Sequence, residues 1–170
     1  MMDYISEVTA AFKVEVKGIL NMLQQAIYYR RKIFLIGNGG SWCTAIHIAE
    51  DLNRYGINAS ALDSLPLVSA IANDEGYPNI FVKQLDIFAA PGDVLIALSV
   101  SGKSENIVRG VHHAKAKGLR VITLTGTGNP ALELTSDIYV PFDNGSCMLV
   151  EPIHFALLHW VVYQLKPCRK

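Results

Sequence analysis

The stretch KIFLIGNGGSWCTAIHIAEDL, Lys32 to Leu52, decides the fold. Ile33, Phe34, Leu35 and Ile36 form a short apolar run of the kind shown by a parallel strand covered on both faces. The run stops at Gly37. Gly37, Gly39 and Gly40 allow a tight turn and a close approach of backbone to ligand, while Asn38 tolerates a left-handed conformation. Ser41 is placed to cap a helix over 41–52, whose apolar positions Ala45, Ile46, Ile48, Ala49 and Leu52 predict burial on most sides. The first amides of such a helix lack intrahelical partners and make a seat for an anion such as a phosphoryl group. This turn is neither the dinucleotide fingerprint G-x-G-x-x-G nor a P-loop, because no glycine follows Gly40 at the required place and the turn carries no G-K-[ST]. On the helix, His47 and Asp51 stand four residues apart and share a face. They are a histidine tied down by its carboxylate neighbour, a pair of metal ligands, or an acid and base; the last two need partners from elsewhere in the chain.

Composition narrows the function classes. With 170 residues, 51% of them hydrophobic, the chain makes one domain with a real core and has no room for a second. Fifteen basic residues balance fifteen acidic ones, which argues against a nucleic-acid footprint or an anionic-membrane surface. Cys43, Cys147 and Cys168 are odd in number and form no C-x-x-C pair, as expected of a reducing, cytoplasmic setting; Cys43 and Cys147 read as small buried hydrophobes. No uninterrupted apolar run reaches membrane-spanning length and the start lacks a signal-peptide pattern, so neither a span nor export is expected.

Upstream, residues 4–30 contain no proline and a single glycine, and Ile5, Val8, Phe12, Val16, Ile19, Leu20, Leu23 and Ile27 recur every three or four positions. This predicts a long amphipathic helix, or two collinear ones, which covers its own sheet or forms a subunit interface. Left exposed, so long a stripe would exceed what monomers tolerate, and a bundle of four copies is the expected outcome. Downstream, the sequence predicts a strand over 59–62, a short helix after Pro66, the polar loop Asn73-Asp74-Glu75-Gly76, a helix over 79–88, an apolar strand over 94–98, a helix over 105–117, strands over 120–124 and 138–140, and a helix of one or two turns between them. This strand–helix rhythm describes an α/β domain, a three-layer doubly wound parallel sheet flanked by helices.

Two further points carry chemistry. Ser99, Ser101 and Ser104 surround Gly102 at the carboxyl end of the second apolar strand, where open α/β sheets place ligands and where hydroxyls and helix-start amides suit a phosphate. The closing helix, read as starting at Glu151 with Pro152 in its first turn, carries Glu151 and His159 eight residues apart and facing the same way. With His47 and Asp51 they supply two carboxylates and two imidazoles, enough for a four-ligand zinc-type site. His112 and His113 have no such partners and are expected on the surface.

Gly37-Asn-Gly-Gly-Ser41, the H-I-A-E-D of 47–51, the A-N-D-x-G-Y of 72–77, Ser99-Val-Ser-Gly-Lys-Ser104, the I-T-L-T-G of 122–126 and the closing helix with His154 and His159 resemble the sugar isomerase (SIS) domain family. The nearest branch is the phosphoheptose isomerases, which act on sedoheptulose 7-phosphate. The resemblance spans nearly the whole chain and implies a single flavodoxin-like SIS domain over 1–170, with 1–30 as an oligomerisation helix. It implies a phosphorylated sugar contacted by Asn38, Gly39, Gly40, Ser41, Asn73, Asp74, Ser99, Ser101 and Ser104. It also implies one zinc ion per subunit at His47, Asp51, Glu151 and His159, with Asp51, His159 and Glu151 as catalytic residues. A homotetramer with shared active sites is implied as well. The sequence departs from the family pattern where Asp51 replaces a glutamate, Glu151 a glutamine and Trp42 a histidine. A non-catalytic phosphosugar-binding or protein-binding regulator, similar to the replication-initiator-binding branch, is the alternative; that branch lacks the second closing-helix histidine, which is present here as His159.

Overall fold

Side-chain alternation in the apolar run sets the layers. In β1 (Ile33–Ile36) all four residues are buried, with Ile33 and Leu35 in one core cluster and Phe34 and Ile36 in another. That is the signature of a strand covered on both faces, and burying one such side chain stabilises by about 1.5–3 kcal/mol. The structure, a computed structural model, describes residues 16–142 and 145–165. The elements in order are α1 (Val16–Tyr28), β1, α2 (Gly40–Arg54), β2 (Ala59–Ala61), α3 (Leu65–Glu75), a 3-10 turn (Tyr77–Asn79), α4 (Ile80–Phe88), β3 (Val94–Ser99), α5 (Glu105–Ala116), β4 (Arg120–Thr125), α6 (Pro130–Thr135), β5 (Ile138–Pro141) and α7 (Cys147–Leu165). The strands form one parallel sheet in the order β2-β1-β3-β4-β5. One face is covered by α1, α2 and α7, the other by α3, α4, α5 and α6. This is the expected three-layer, doubly wound, flavodoxin-like architecture, and its strand order reverses between β1 and β3.

Several local readings are corrected. Gly39, not Asn38, takes the left-handed conformation at the glycine turn, with φ 54°. Gly39 is also the residue before the helix, so Ser41 lies within the first turn and does not cap it. Gly37 is required by close approach, since a Cβ there would stand 2.6 Å from the Ser41 carbonyl. The closing helix begins at Cys147, so Pro152 lies inside it. Cys43 and Cys147 are exposed, not buried; Cys168 lies outside the described residues. His112 is exposed, as expected, with Nδ1 3.1 Å from the Thr135 hydroxyl, while His113 is half-buried and finds a carboxylate partner, its Nε2 2.7 Å from Asp86.

The amphipathic reading of the first helix is tested from Val16 onward; residues 1–15 lie outside the described residues. Val16, Ile19, Met22, Leu23 and Ala26 are buried and join the core with α2 and α7. From Val16 the stripe therefore covers its own domain. Helix α7 is long and apolar enough, by length and composition, to cross a membrane. Seven of its residues, among them Val150, Leu157 and Val161, are buried, as in the core helix of an α/β domain.

At the sheet edge, β2 is only three residues long. The Asn53 carboxamide donates to the Ala59 carbonyl (2.8 Å) and accepts from the Ala59 amide (3.0 Å). Because the neighbouring Asn58 carbonyl already accepts from Ile33 of β1, the Ala59 groups point outward and Asn53 takes the place of a missing strand.

Candidate functional site

The switch point between β1 and β3 opens as a cleft of about 230 Å³ between the glycine turn, the serine loop and the start of α7. Asn38, Ser41, Ser99, Ser101, Ser104 and Glu151 all line it. The serine loop is shaped by its own hydroxyls: Ser99 Oγ accepts from the Gly102 amide and Ser101 Oγ from the Lys103 amide, each at 3.1 Å. Gly102 is left-handed, φ 64°, and a Cβ there would meet the Thr127 carbonyl at 2.9 Å. Ser104 precedes α5 without spending its side chain on a cap, which leaves that hydroxyl and the first amides of α5 available to an anion.

Asn38 is locked rather than free. Its carboxamide and that of Asn106 bond each other reciprocally, at 3.0 and 2.8 Å, and the Tyr77 hydroxyl donates to the Asn38 oxygen at 3.1 Å. Asn106 escaped the sequence reading, and Tyr77 entered it only as the last residue of the motif over 72–77, without a role. Asn106 is a buried polar residue in the first turn of α5, and an asparagine there reads as ordinary helix. Asn73 and Asp74, expected in a polar loop, are exposed in the last turn of α3, hydrogen-bonded to each other at 2.8 Å, and do not line the cleft; the segment meets the site through the Tyr77 bond to Asn38.

The helices α2 and α7 run side by side in the same direction, with Glu151 opposite Gly40 and His159 opposite His47. A Cβ at Gly40 would stand 2.1 Å from a Glu151 carboxylate oxygen, so a larger residue there would displace the end of that side chain. The Glu151 carboxylate thus lies over the start of α2, the place expected to seat a phosphoryl group. A negative side chain is favourable at a helix N-terminus.

Two turns further along the same seam, His47, Asp51 and His159 come together, one ligand atom from each lying within 4.8 Å of the others. The two imidazole Nε2 atoms are 3.3 Å apart, and the Asp51 Oδ2 atom is 3.2 Å from His47 and 2.8 Å from His159. Asp51 Oδ1 lies 3.9 Å from Arg54. Phe155, also absent from the sequence reading, stacks on the His159 ring at 4.9 Å and meets the His47 ring edge-on at 5.0 Å, fixing both planes. Of the four residues expected at the metal, the structure brings together three. Glu151 is not among them; it lies eight residues before His159, about 12 Å along the helix axis. Two ring nitrogens and a carboxylate oxygen aimed at one point form a donor set for a divalent ion.

Trp42, where the family pattern has a histidine, turns toward the core and meets Phe81 edge-on at 6.3 Å; it does not line the cleft. His154 is buried on α7 against Phe142, with ring centroids 5.3 Å apart. Neither of its ring nitrogens has a close hydrogen-bond partner among the described residues. Burial pushes its pKa down to about 4, offset only in part by the Thr125 backbone. A larger groove, about 590 Å³, runs between α2 and β2 and contains none of the expected substrate residues.

Comparison with known proteins places these features in a family. The SIS domain model matches residues 1–126. The phosphoheptose isomerase of Yersinia enterocolitica is 36% identical over 138 residues, 77% of this chain and 72% of the relative; that of Hamiltonella defensa is 34% identical over 148 residues, 83% of this chain and 72% of the relative. Among solved structures, the phosphoheptose isomerase of Neisseria gonorrhoeae superposes with a TM-score of 0.90 at 27% identity, covering 95% of this chain and 91% of that one.

Proposed function

Since the chain belongs to the SIS domain family, we propose that it is a phosphosugar aldose–ketose isomerase of the phosphoheptose type, converting sedoheptulose 7-phosphate to a manno-heptose 7-phosphate. The observation that carries this reading is the division of labour along the α2–α7 seam: a serine-walled anion cleft at one end and the cluster of His47, Asp51 and His159 at the other.

Ser99, Ser101 and Ser104 with the start of α5 hold the phosphate, while Asn38, fixed by Asn106 and Tyr77, Gly39, Gly40, Ser41 and Glu151 orient the sugar hydroxyls. Asn73 and Asp74 belong to this substrate set by family resemblance, without a contribution to the cleft of one chain. The Asp51 carboxylate removes the proton from the carbon next to the carbonyl and returns it to the neighbouring carbon through an enediol, while His159, in contact with Asp51 at 2.8 Å, or a metal ion held in its place manages the oxygens. The cluster is also the seat for zinc, one ion per subunit. Ligand atoms around a tetrahedral zinc ion stand about 3.3–3.4 Å apart, near the 3.3 Å between the imidazoles and the 3.2 Å from His47 to Asp51, while the 2.8 Å contact of His159 with Asp51 would open to admit an ion. Three protein ligands leave a position open, as in catalytic zinc sites. Bound there, zinc would supply a Lewis acid for the substrate oxygens.

Sedoheptulose 7-phosphate and a panel of other aldose and ketose phosphates, assayed with and without zinc, test the reading. Turnover of the heptose is the expected result; turnover of none overturns it, and phosphosugar binding without turnover favours the non-catalytic regulator. The free thiols Cys43 and Cys147 support a cytoplasmic setting. Assembly as a homotetramer with shared active sites follows the family resemblance, and the exposed Tyr28, Trp160 and Tyr163 offer apolar surface for it. Light scattering at micromolar concentration is expected to give a tetramer, and a monomer would contradict it.

A further inference from the structure

At the end of the sheet opposite the serine cleft, a pocket of about 320 Å³ opens between α1 and the strand starts, lined in part by Met22, Gln25, Tyr29, Arg31, Val94 and Arg120. Val94 and Arg120 are paired first residues of β3 and β4. Ser99 ends β3 five residues on, about 17 Å away at the usual rise of an extended strand. The pocket is therefore separate from the isomerase site.

Its chemistry is one-sided. Two guanidinium groups line it and, among the described residues, no carboxylate does. Neither Arg31 nor Arg120 lies within ion-pair distance of a carboxylate among the described residues. The acidic groups nearby are already engaged: Asp93 accepts from the Lys32 and Ala90 amides, each at 2.9 Å, and Asp137 from Lys115 at 2.6 Å and the Val121 amide at 2.8 Å. The arginines are nevertheless held in place. Arg120 donates to the Gln25 carboxamide oxygen at 2.6 Å. Arg31 donates to the Pro91 carbonyl at 3.4 Å and lies across Gly92, where a Cβ would approach its guanidinium to 3.2 Å. One bond each leaves most of the five guanidinium donors unused. The remaining surface is apolar: Met22 and Val94 are buried at the base, and the ring of Tyr29 is 65% exposed.

We propose that this pocket binds a small organic anion whose phosphate or carboxylate is taken by Arg31 and Arg120 and whose flat apolar body lies against Tyr29 and Met22. A nucleoside monophosphate matches both ends. Guanidinium groups bind phosphate through paired donors, an exposed tyrosine offers a stacking face, and the volume sits at the small end of ligand pockets. The site goes beyond the isomerase reading and does not rest on it.

The test is calorimetric titration of the full chain with adenosine monophosphate, inorganic phosphate and adenosine. Saturable binding of adenosine monophosphate is expected, with phosphate weaker and adenosine undetected. Arg31→Gln and Arg120→Gln should each weaken it about tenfold or more, the usual effect of losing a charge-assisted hydrogen bond. Arg120→Lys, which keeps the charge but loses the fork, guards against a folding defect; it should weaken binding with an unchanged melting curve. Paired Ser101→Ala and Ser104→Ala replacements should lower phosphosugar turnover and leave this binding intact. No saturable binding of adenosine monophosphate, or binding lost in the serine variant and kept in the arginine variants, would overturn the proposal. Phosphate binding as tightly as adenosine monophosphate, with Tyr29→Ala silent, would overturn its apolar half. Sugar-phosphate turnover measured on the same samples reports the isomerase separately.

Discussion

Asp51→Ala is expected to lower phosphosugar turnover about a thousandfold, within the range of a lost general acid–base group, and to release the bound metal. Two jobs meet in this one carboxylate. Oδ2 faces both imidazoles, at 3.2 and 2.8 Å, while Oδ1 is left on the side of Arg54. His159→Ala should match it, because the same cluster loses a ring nitrogen and Asp51 loses its closest contact. Glu151→Gln, which restores the family residue, should stay within about tenfold of the parent, since Glu151 lies over Gly40 and not in the cluster. Steady-state kinetics and metal analysis after dialysis separate the roles. Less than about one-tenth of an equivalent of any transition metal in the parent protein, unchanged by added zinc, would remove the ion from the mechanism while leaving the proton-transfer roles to the kinetics. Full activity in Asp51→Ala would sink both.

The second large effect is on stability. His154 titrates near 4 in the folded chain because burial strips its charged form of water, an effect the Thr125 backbone offsets only in part, whereas an unfolded histidine titrates near 6.5. Below that value the unfolded chain binds a proton that the folded chain refuses, so unfolding becomes easier as pH falls. The stability contributed by keeping His154 neutral is fully present above about pH 6.5 and is lost progressively down to about pH 4, roughly 3 kcal/mol in all. His154→Leu removes the titrating group and two unpaired nitrogens while keeping an apolar side chain of similar reach. Denaturant melts at pH 7.5 and 5.0 should show the variant losing distinctly less stability on acidification than the parent. Equal losses would show that His154 does not carry the pH response.

The layers of the fold were legible because apolar runs such as 33–36 and 94–98 have no other stable use in a chain of this kind, and the glycine turn and serine loop mark their carboxyl ends. Helix boundaries were less so. Pro152 reads as a first-turn residue, yet α7 accommodates it in its interior and begins at Cys147. The glycine turn is legible as a turn, and Gly39 takes its positive φ; that Asn38 spends its side chain on a carboxamide pair with Asn106 is not, because the partner lies 68 residues away. The cluster was legible as far as spacing allows. His47 and Asp51 share a face one turn apart, and so do Glu151 and His159 across two turns, but spacing says nothing of where two helices touch. Parallel packing of α2 and α7 brings His159 to His47 and leaves Glu151 at Gly40. The same limit hid Phe155, which becomes a support for two imidazoles only once α2 lies against it.

The Asn53 clasp on Ala59 also bears on how copies of this chain can meet. An edge strand with free outward amides and carbonyls is a template on which a second sheet can grow, and such growth leads to fibres as readily as to dimers. With the outward groups of Ala59 already satisfied by a side chain from the preceding helix, strand addition at that edge would first have to break two hydrogen bonds within the chain. The β2 edge is thereby guarded against open-ended polymerisation during folding and at high concentration.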